Sequence, residues 1–201
     1  MVGINKPILG LDVDHTCTHE DGLPNALQAF GTTIGVNAQI VQSAVAPPAK
    51  SFTCQPFLDA INRPHSLPQL EHTLATLFRT NMYDDVVPFL HWARQRYRLV
   101  VVSRGNAHFQ SLKINPFRNL IDDVIITDRP GQKGQVLRDR YNTARHVTVI
   151  DDRYDELHAV QLAYTNMSTR LDLYQIIRAN SVYPVGTYCR ITSLNEIKHA
   201  L

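Results

Sequence analysis

The sequence predicts an α/β fold, in which a parallel β-sheet carries a small helical insertion after its first strand. Short aliphatic runs alternate with segments of helical spacing from about residue 83 to the end of the chain, and such alternation is typical of parallel sheets with right-handed crossovers. One more aliphatic run lies near the amino terminus, at residues 7–11. Residues 17–81 contain no strand-type run, which predicts an insertion of helices and loops.

Composition indicates an ordinary globular protein. The 201 residues are 44% hydrophobic and 19% charged, and the formal net charge is +2 at pH 7. This charge is too small to predict a nucleic-acid partner or an anionic membrane, and no apolar run approaches the roughly 20 residues that cross a bilayer. The amino terminus does not resemble a secretory signal, and the 3 cysteines are widely spaced. We therefore expect a reducing, cytoplasmic compartment, although export by a signal-less route would leave the same pattern.

The first strand is predicted in the apolar run at residues 7–11, directly before Asp12. A short, continuous apolar run of this kind favours a strand that is buried on both faces. Within the insertion, the apolar spacing favours short helices, at residues 26–30, 38–46 and 67–78. Prolines are expected to separate these helices, at positions 47, 48, 56 and 64.

The remaining elements follow in alternation. Apolar runs predict four further strands, at residues 98–103, 123–127, 146–150 and 185–191. Helical spacing predicts four helices, at residues 85–96, 107–112, 134–141 and 154–163. A last helix is expected to begin at Ser193, where Glu196 completes a capping box. The segment 164–183 is ambiguous, because the apolar residues at 171–177 are compatible with another helix.

Polar side chains follow several of these strands. Asp12 and Asp14 come directly after the first strand, and an extended backbone points both to the same side. Ser103 ends the second strand, and Asp151 and Asp152 follow the fourth. Open α/β sheets bind ligands beyond the carboxyl ends of their strands, so these groups are expected to converge in one crevice.

A lysine completes this set. Lys133 lies in a loop that contains proline and glycine, at the start of a predicted helix. Four carboxylates with a single lysine would leave the crevice strongly anionic, and like charges that close are unfavourable unless a cation relieves them. A hard divalent cation bound through oxygen, such as Mg²⁺, would resolve the imbalance. The combination predicts a site for phosphate and metal.

The order of these residues resembles the haloacid-dehalogenase-like (HAD) superfamily, which has four motifs. The first, a hydrophobic strand followed by D-x-D-x-T, is matched at residues 12–16. The second, a strand ending in Ser or Thr, is matched by Ser103, and the third, a lysine before a helix, by Lys133. The fourth, a strand ending in paired acids, is matched by Asp151 and Asp152.

The resemblance covers roughly residues 6–16 and 83–201, and it implies how the chain is divided. Residues 1–16 and 82–201 would form a Rossmann-like, HAD-like core. Residues 17–81 would form a small helical cap, in the place where this superfamily often carries one. A cap that closes over the site and an open cleft are both compatible with the sequence.

Carried over position by position, the resemblance implies a phosphatase that uses Mg²⁺. Asp12 would attack phosphorus and form an aspartyl-phosphate, and Asp14 would act first as general acid and then as general base. The metal ligands would be Asp12, Asp14 through its carbonyl, Asp152, and Asp151 directly or through another ligand. The substrate phosphate would be bound by Thr16, Ser103 and Lys133.

Two further positions near these motifs leave alternatives open. Arg104 directly follows Ser103, and its guanidinium could pair with a substrate phosphate or carboxylate or lie in a solvated loop. Many HAD members carry another acid four residues after the metal-binding acid of the fourth motif. Glu156 has that offset from Asp152, whereas Asp155 is three residues on. Either acid could support the metal.

Asp14 decides the predicted reaction class, because dehalogenases of the superfamily lack the second acid of the first motif. We therefore expect hydrolysis of a phosphomonoester, on a small phosphometabolite or a nucleotide. A protein phosphatase acting on phosphotyrosine or phosphoserine is an alternative, because a short, proline-rich insertion could leave a wide cleft. A catalytically silent interaction module is another. A response-regulator receiver carries similar residues, but in a different order.

Overall fold

A computed structural model describes residues 6–45, 52–179 and 184–200. Its strands are β1 (Ile8–Leu11), β2 (Arg98–Arg104), β3 (Asp123–Thr127), β4 (His146–Asp151), β5 (Arg170–Ile176) and β6 (Cys189–Ile191). They form one parallel sheet in the order β3-β2-β1-β4-β5-β6. The predicted α/β class with a parallel sheet is confirmed.

Helices connect these strands. Between β1 and β2 lie α1 (Leu23–Thr33), α2 (Ala38–Val45), α3 (Cys54–Ala60), α4 (Leu67–Thr80) and α5 (Val86–Ala93). After β2 come α6 (Ala107–Ile114), α7 (Gln132–Arg140), α8 (Tyr154–Tyr164) and α9 (Ile197–Ala200). Short 3₁₀ segments follow α6 and precede α9, at Asn115–Leu120 and Leu194–Glu196. None of the helices in the described part of the chain is long and apolar enough to span a bilayer.

Strand β1 lies in the middle of the sheet, between β2 and β4. All four of its residues are buried. Leu9 and Leu11 pack into one hydrophobic cluster with α5, and Ile8 packs into another cluster with α7 and α8. The prediction of a strand buried on both faces is confirmed. Because the strand order reverses at β1, its carboxyl end opens onto the crevice where such sheets bind ligands.

Close packing of α7 on α8 fixes the position of Lys133. Gly134 makes this packing feasible, because a Cβ atom there would lie 2.6 Å from Val160 Cα and 2.7 Å from the Ala159 carbonyl oxygen. Neither backbone atom could move aside cheaply. Lys133 precedes this contact directly and is therefore held against the sheet.

The insertion has its own hydrophobic cluster, which reaches into the core. Residues of α1 to α4 pack together, and Phe109 of α6 joins them. The ring centroids of Phe52 and Phe78 lie 5.0 and 5.4 Å from that of Phe109, within the range in which aromatic pairs attract one another. Helix α6 therefore links the insertion to the sheet.

The insertion contains a helix that the sequence analysis missed. Pro56 was expected to break helices, yet it lies in the first turn of α3. The amide groups of the first helical turn have no partner within the helix, so a proline costs little there. Helices α1, α2 and α4 overlap the three predicted segments, although the predicted end of the second helix at Ala46 lies outside the described residues.

The helical alternative for residues 171–177 is wrong, because β5 occupies this segment. Its side chains alternate between the two faces: Leu171 and Leu173 contact one cluster, while Tyr174 and Ile176 belong to the other. This period of two is that of a strand. The strand predicted at 185–191 is shorter than expected, because only Cys189–Ile191 pairs with β5. The capping box of Ser193 and Glu196 is confirmed, at the start of the second 3₁₀ segment.

Candidate active site

Lys133 joins the carboxyl ends of β1 and β4 through two ion pairs. Its Nζ lies 2.7 Å from Asp12 Oδ1 and 2.6 Å from Asp151 Oδ2, and all three side chains are buried. Burial alone would lower the pKa of Lys133, but the two carboxylates outweigh it and raise that pKa above its usual value. The lysine is therefore held as a cation between two acids.

A third acid gives this cluster an excess of negative charge. Asp12, Asp151 and Asp152 each offer a carboxylate oxygen, and these oxygens lie within 4.8 Å of one another. Burial, followed by the charges of Asp12 and Asp151, raises the pKa of Asp152 to about 9. Burial also raises the pKa of Asp12 to about 7, against the opposing charge of Lys133. One lysine does not compensate three carboxylates.

The donor set of this cluster fits a hard divalent cation. Both carboxylate oxygens of Asp152 are buried and have no hydrogen-bond partner among the residues that the structure describes. A buried carboxylate in this state is costly unless it binds a proton or a metal ion. Mg²⁺ prefers carboxylate oxygens as ligands, and Asp12 and Asp151 would supply two more beside Asp152. The predicted metal ligands Asp12, Asp151 and Asp152 therefore meet at one point.

Asp14 has a different electrostatic environment from these three acids. Lys113 Nζ donates to its Oδ1 at 2.5 Å, and Gln110 Nε2 donates to its Oδ2 at 3.0 Å. Burial opposes ionisation, but the charge and hydrogen bond of Lys113 prevail and hold the pKa of Asp14 below its usual value. The pKa of Asp14 is therefore shifted in the opposite direction from those of Asp12 and Asp152.

Ser103 reaches the crevice from the end of β2. It is fully buried, and its hydroxyl donates to Gln110 Oε1 at 3.3 Å. Gln110 thus touches both Ser103 and Asp14. Gly105 leaves space for this side chain: its φ is +142°, and a Cβ atom would lie 3.1 Å from Gln110 Nε2. The loop after β2 is therefore shaped around Gln110.

Arg104 and Glu156 form an ion pair at the edge of the crevice. Arg104 Nη1 lies 2.9 Å from Glu156 Oε1, and the amide of Gly131 donates to Glu156 Oε2 at 3.1 Å. Glu156 is buried and braces the loop that leads to Lys133. Asp155 instead lies exposed in an ion pair with Arg153. Of the two acids considered for metal support, the structure brings Glu156 into the crevice.

The placement of Thr16 does not support its predicted phosphate contact. Thr16 is fully buried, and within the described part of the chain its hydroxyl has no hydrogen-bond partner. Its carbonyl oxygen accepts a hydrogen bond of 2.9 Å from Arg178 Nη2, on a guanidinium that also pairs with Asp85. Thr16 is therefore part of a buried connection to the segment after β5.

A small cavity of about 50 Å³ lies between these groups. No apolar side chain lines it, and neither does any residue of the insertion described here. The lining residues are Asp12, Asp14, His15, Ser103, Arg104, Lys133, Asp152, Arg153 and Glu156. This space has room for about four water molecules, which suits one phosphoryl group with its immediate ligands. The rest of a substrate would extend beyond it.

Sequence reasoning missed two residues that contact Asp14. Helix α6 was predicted to end at residue 112, but it continues to Ile114 and carries Lys113 on its last turn. Gln110 and Lys113 lie three positions apart on the buried face that also contains Phe109. Polar residues on the buried face of a helix are unusual, so a longer predicted helix would have drawn attention to both.

Comparison with solved structures shows similar folds at low sequence identity. The HAD-like hydrolase from Burkholderia xenovorans LB400 has a TM-score of 0.67 at 18% identity, with 97% of this chain and 96% of that chain covered. YfnB from Bacillus subtilis, named as a HAD hydrolase and bound to magnesium, has a TM-score of 0.62 at 17% identity, with 98% and 99% covered. An L-2-haloacid dehalogenase, PA0810, has a TM-score of 0.60 at 12% identity over 98% and 99% of the two chains.

No protein-family model matches the sequence, and no curated protein matches it either. The structures named here are all below 20% identity, so they show the fold and not the reaction. They include a dehalogenase as well as a protein named as a predicted phosphoglycolate phosphatase, from Haemophilus somnus 129pt. The HAD-like fold that the four motifs predict is confirmed.

Proposed function

We propose that this chain, whose fold is that of the HAD-like hydrolases, is a Mg²⁺-dependent phosphomonoester hydrolase that works through an aspartyl-phosphate on Asp12. The observation that carries the proposal is the meeting of Asp12, Asp151 and Asp152 around Lys133, with Asp14 as a separate acid at the same crevice. Phosphoryl transfer requires positioning and charge neutralisation above all, and this set of residues supplies both.

Each side chain has a role that its surroundings support. Asp12 would attack phosphorus as a carboxylate while the leaving alcohol departs. Asp14 would withdraw a proton from the attacking water as a general base, and it would have to be protonated before it could donate to the departing alcohol, against the hydrogen bonds from Lys113 and Gln110. Ser103 and Lys133 would bind the phosphoryl oxygens, and Lys133 would also balance the charge of Asp12. Bound Mg²⁺ would be held by Asp12, Asp151, Asp152 and the Asp14 carbonyl, and would neutralise charge on the phosphoryl group.

The lining of the cavity favours phosphate over an alkyl halide. Four acids, three basic residues, a serine and a histidine line it, so an apolar carbon–halogen group would find no apolar contact there. In a phosphomonoester bound with Mg²⁺, the phosphate dianion would instead be complementary to the basic side chains and the metal ion to the acids. Asp14 supports the same choice, because dehalogenases of the superfamily lack an acid at this position.

The substrate is proposed to be a small phosphometabolite or a nucleotide. Only its phosphoryl group would enter the cavity of about 50 Å³, so its remainder would lie at the rim. Arg104 and Arg153 line the cavity, and both are already paired with acids. The remainder of the substrate would therefore meet paired arginines and acids, and not a strongly cationic surface.

The proposal predicts metal-dependent turnover of simple phosphate esters. The purified chain is assayed on 4-nitrophenyl phosphate, phosphosugars, nucleoside monophosphates, phosphopeptides and 2-chloropropionate, with Mg²⁺ and with chelator. We expect phosphate release that requires Mg²⁺, higher kcat/KM for the small esters than for the phosphopeptides, and no halide release. Absence of metal-dependent phosphate release across the whole set would overturn the proposed function, and preference for phosphopeptides would overturn the substrate class.

A further inference from the structure

A buried arginine outside the four motifs contacts the loop that follows β1. Arg178 lies two residues after β5 and is 8% exposed. Its Nη2 atom donates to the carbonyl oxygen of Thr16 at 2.9 Å, and Nη1 and Nη2 each donate to the carboxylate of Asp85 at 2.8 Å. Arg178 therefore joins the catalytic loop, defined as residues 12–16, to the residue directly before α5.

The catalytic loop has a conformation that needs support from outside. His15 has a φ of +54°, in the left-handed region that is unfavourable for residues other than glycine. The carbonyl oxygen of Val13 accepts a hydrogen bond of 2.9 Å from the amide of Cys17, which closes the turn from within. The carbonyl oxygen of Thr16 is instead bound from another part of the chain, by Arg178. This contact therefore restrains the loop at its carboxyl end.

The guanidinium group makes contacts that no apolar side chain could replace. It is planar and carries five N–H donors, so that it bonds to Asp85 and Thr16 together. Nη1 also donates to the carbonyl oxygen of Thr192 at 3.3 Å. The Cζ atom lies 4.1 Å from the ring centroid of Tyr83, within the range of cation–π attraction. Arg178 is therefore held on several sides and can restrain what it binds.

Pairing with Asp85 does not by itself account for this arrangement. The carboxylate of Asp85 also accepts hydrogen bonds from Ser193 Oγ at 2.7 Å and from the amide of Leu194 at 2.8 Å. A buried ion pair is weak evidence for stability, and the bond from Arg178 to Thr16 contributes nothing to the pairing with Asp85. The bond to Thr16 therefore acts on the catalytic loop.

We propose that Arg178 is a positioning residue, which holds the catalytic loop in place through the carbonyl of Thr16. Asp12 and Asp14 would thereby stay where their carboxylate and carbonyl oxygens can bind Mg²⁺. This inference rests on the proposed function, because it assigns Arg178 a task in the proposed metal site. Arg178 does not line the cavity and acts through the loop. Loss of its bond to Thr16 should therefore weaken Mg²⁺ binding and lower kcat.

The double variant Arg178→Met/Asp85→Asn tests this role. Both changes are made together because a buried carboxylate without its cationic partner would destabilise the fold. Asp85→Asn alone is the matched control, since it keeps the bond from Arg178 to Thr16. The dissociation constant of Mg²⁺ is measured from thermal melts at increasing Mg²⁺ concentration, and kcat is measured on 4-nitrophenyl phosphate at saturating Mg²⁺. We expect the double variant to bind Mg²⁺ about tenfold more weakly and to lose about tenfold in kcat, with both values for Asp85→Asn within about threefold of wild type.

Two further variants separate positioning from stability. Ser193→Ala removes another hydrogen bond to Asp85 and leaves the bond from Arg178 to Thr16 in place. It should lower the melting temperature in chelator without changing the Mg²⁺ dissociation constant. Arg178→Lys restores a cationic donor and should recover part of the Mg²⁺ affinity and of kcat. Equal losses of Mg²⁺ affinity in Ser193→Ala and in the double variant would leave Arg178 a structural role only.

The variant Arg178→Gln/Asp85→Asn replaces the first double variant if the methionine protein does not fold. Its two amides can bond to each other, so the buried pair stays neutral and polar, and the same losses are expected. Unchanged Mg²⁺ affinity and kcat in whichever double variant folds would overturn the positioning role while leaving the proposed function intact. A wild-type chain without Mg²⁺-dependent turnover would overturn both.

Discussion

Asp12→Asn is expected to abolish Mg²⁺-dependent phosphate release, with kcat lowered by about 10⁴-fold or more. The amide has the shape of the carboxylate but is a far weaker nucleophile, so the loss should come from chemistry and not from folding. Asp151 still faces Lys133 at 2.6 Å in the variant, and the buried lysine therefore keeps a partner. Assays on 4-nitrophenyl phosphate, together with circular dichroism and a thermal melt, separate lost turnover from lost structure.

A matched substitution at the protein surface tests whether the loss of activity is specific to Asp12. Asp139 lies on α7, where its carboxylate pairs with Arg138 at 2.9 Å outside the cavity. Asp139→Asn makes the same chemical change on the helix that carries Lys133, and it should leave kcat unchanged. If Asp12→Asn retained more than about one-tenth of the wild-type rate while folded, Asp12 would not be the nucleophile.

Asp152→Asn is expected to have opposite effects on metal binding and on the stability of the metal-free chain. Both oxygens of Asp152 are buried, and no described residue forms a hydrogen bond with them, so the substitution removes the carboxylate most in need of a cation. The wild-type melting temperature should rise when Mg²⁺ is added, because a ligand that binds only the folded state stabilises it. In the variant this rise should disappear, and phosphate release should fall about 100-fold or more.

Without metal, Asp152→Asn is expected to increase the free energy of unfolding. The pKa of Asp152 is raised from 3.8 to about 9 in the folded chain, so the folded state binds the proton more tightly than the unfolded state does. Asp152 therefore lowers the free energy of unfolding progressively as the pH rises from about 4 towards 9. Asparagine does not titrate, and in chelator at neutral pH the variant should be more stable by on the order of 1–3 kcal/mol.

Thermal melts over this pH range, with chelator and with Mg²⁺, measure both effects. The wild-type chain in chelator should lose stability with rising pH more steeply than Asp152→Asn does. Equal stabilisation of both proteins by Mg²⁺ would contradict the assignment of Asp152 as a metal ligand. A metal-free variant that is less stable than the wild type at neutral pH would contradict the inference that burial of the Asp152 carboxylate destabilises the metal-free fold.

The parts of the site that the sequence predicted are those fixed by strand geometry. A buried strand followed at once by an acid places that acid at the carboxyl edge of a parallel sheet, which suffices to bring Asp12, Asp151 and Asp152 together. Lys133 followed from its position before a helix. These inferences need only local pattern and the rule that ligands bind beyond the ends of such strands.

The parts that the sequence did not reveal depend on contacts between distant segments. Lys113 reaches Asp14 only because α6 extends two residues further than predicted, to Ile114, and packs against the insertion. Glu156 holds the loop before Lys133 through its contacts with Arg104 and the amide of Gly131. The sequence spacing of these residues does not predict the contacts. Strand β5 was ambiguous because its four apolar residues fit either period over so short a segment.

Chemical trapping of the acyl phosphate tests the central claim most directly. Turnover of 4-nitrophenyl phosphate is run in the presence of borohydride, which reduces an aspartyl phosphate to homoserine, and the digested chain is examined by mass spectrometry. We expect homoserine at position 12, only when both substrate and Mg²⁺ are present, and none in Asp12→Asn. Sustained phosphate release with unmodified Asp12, or with the modification at another aspartate, would contradict the account.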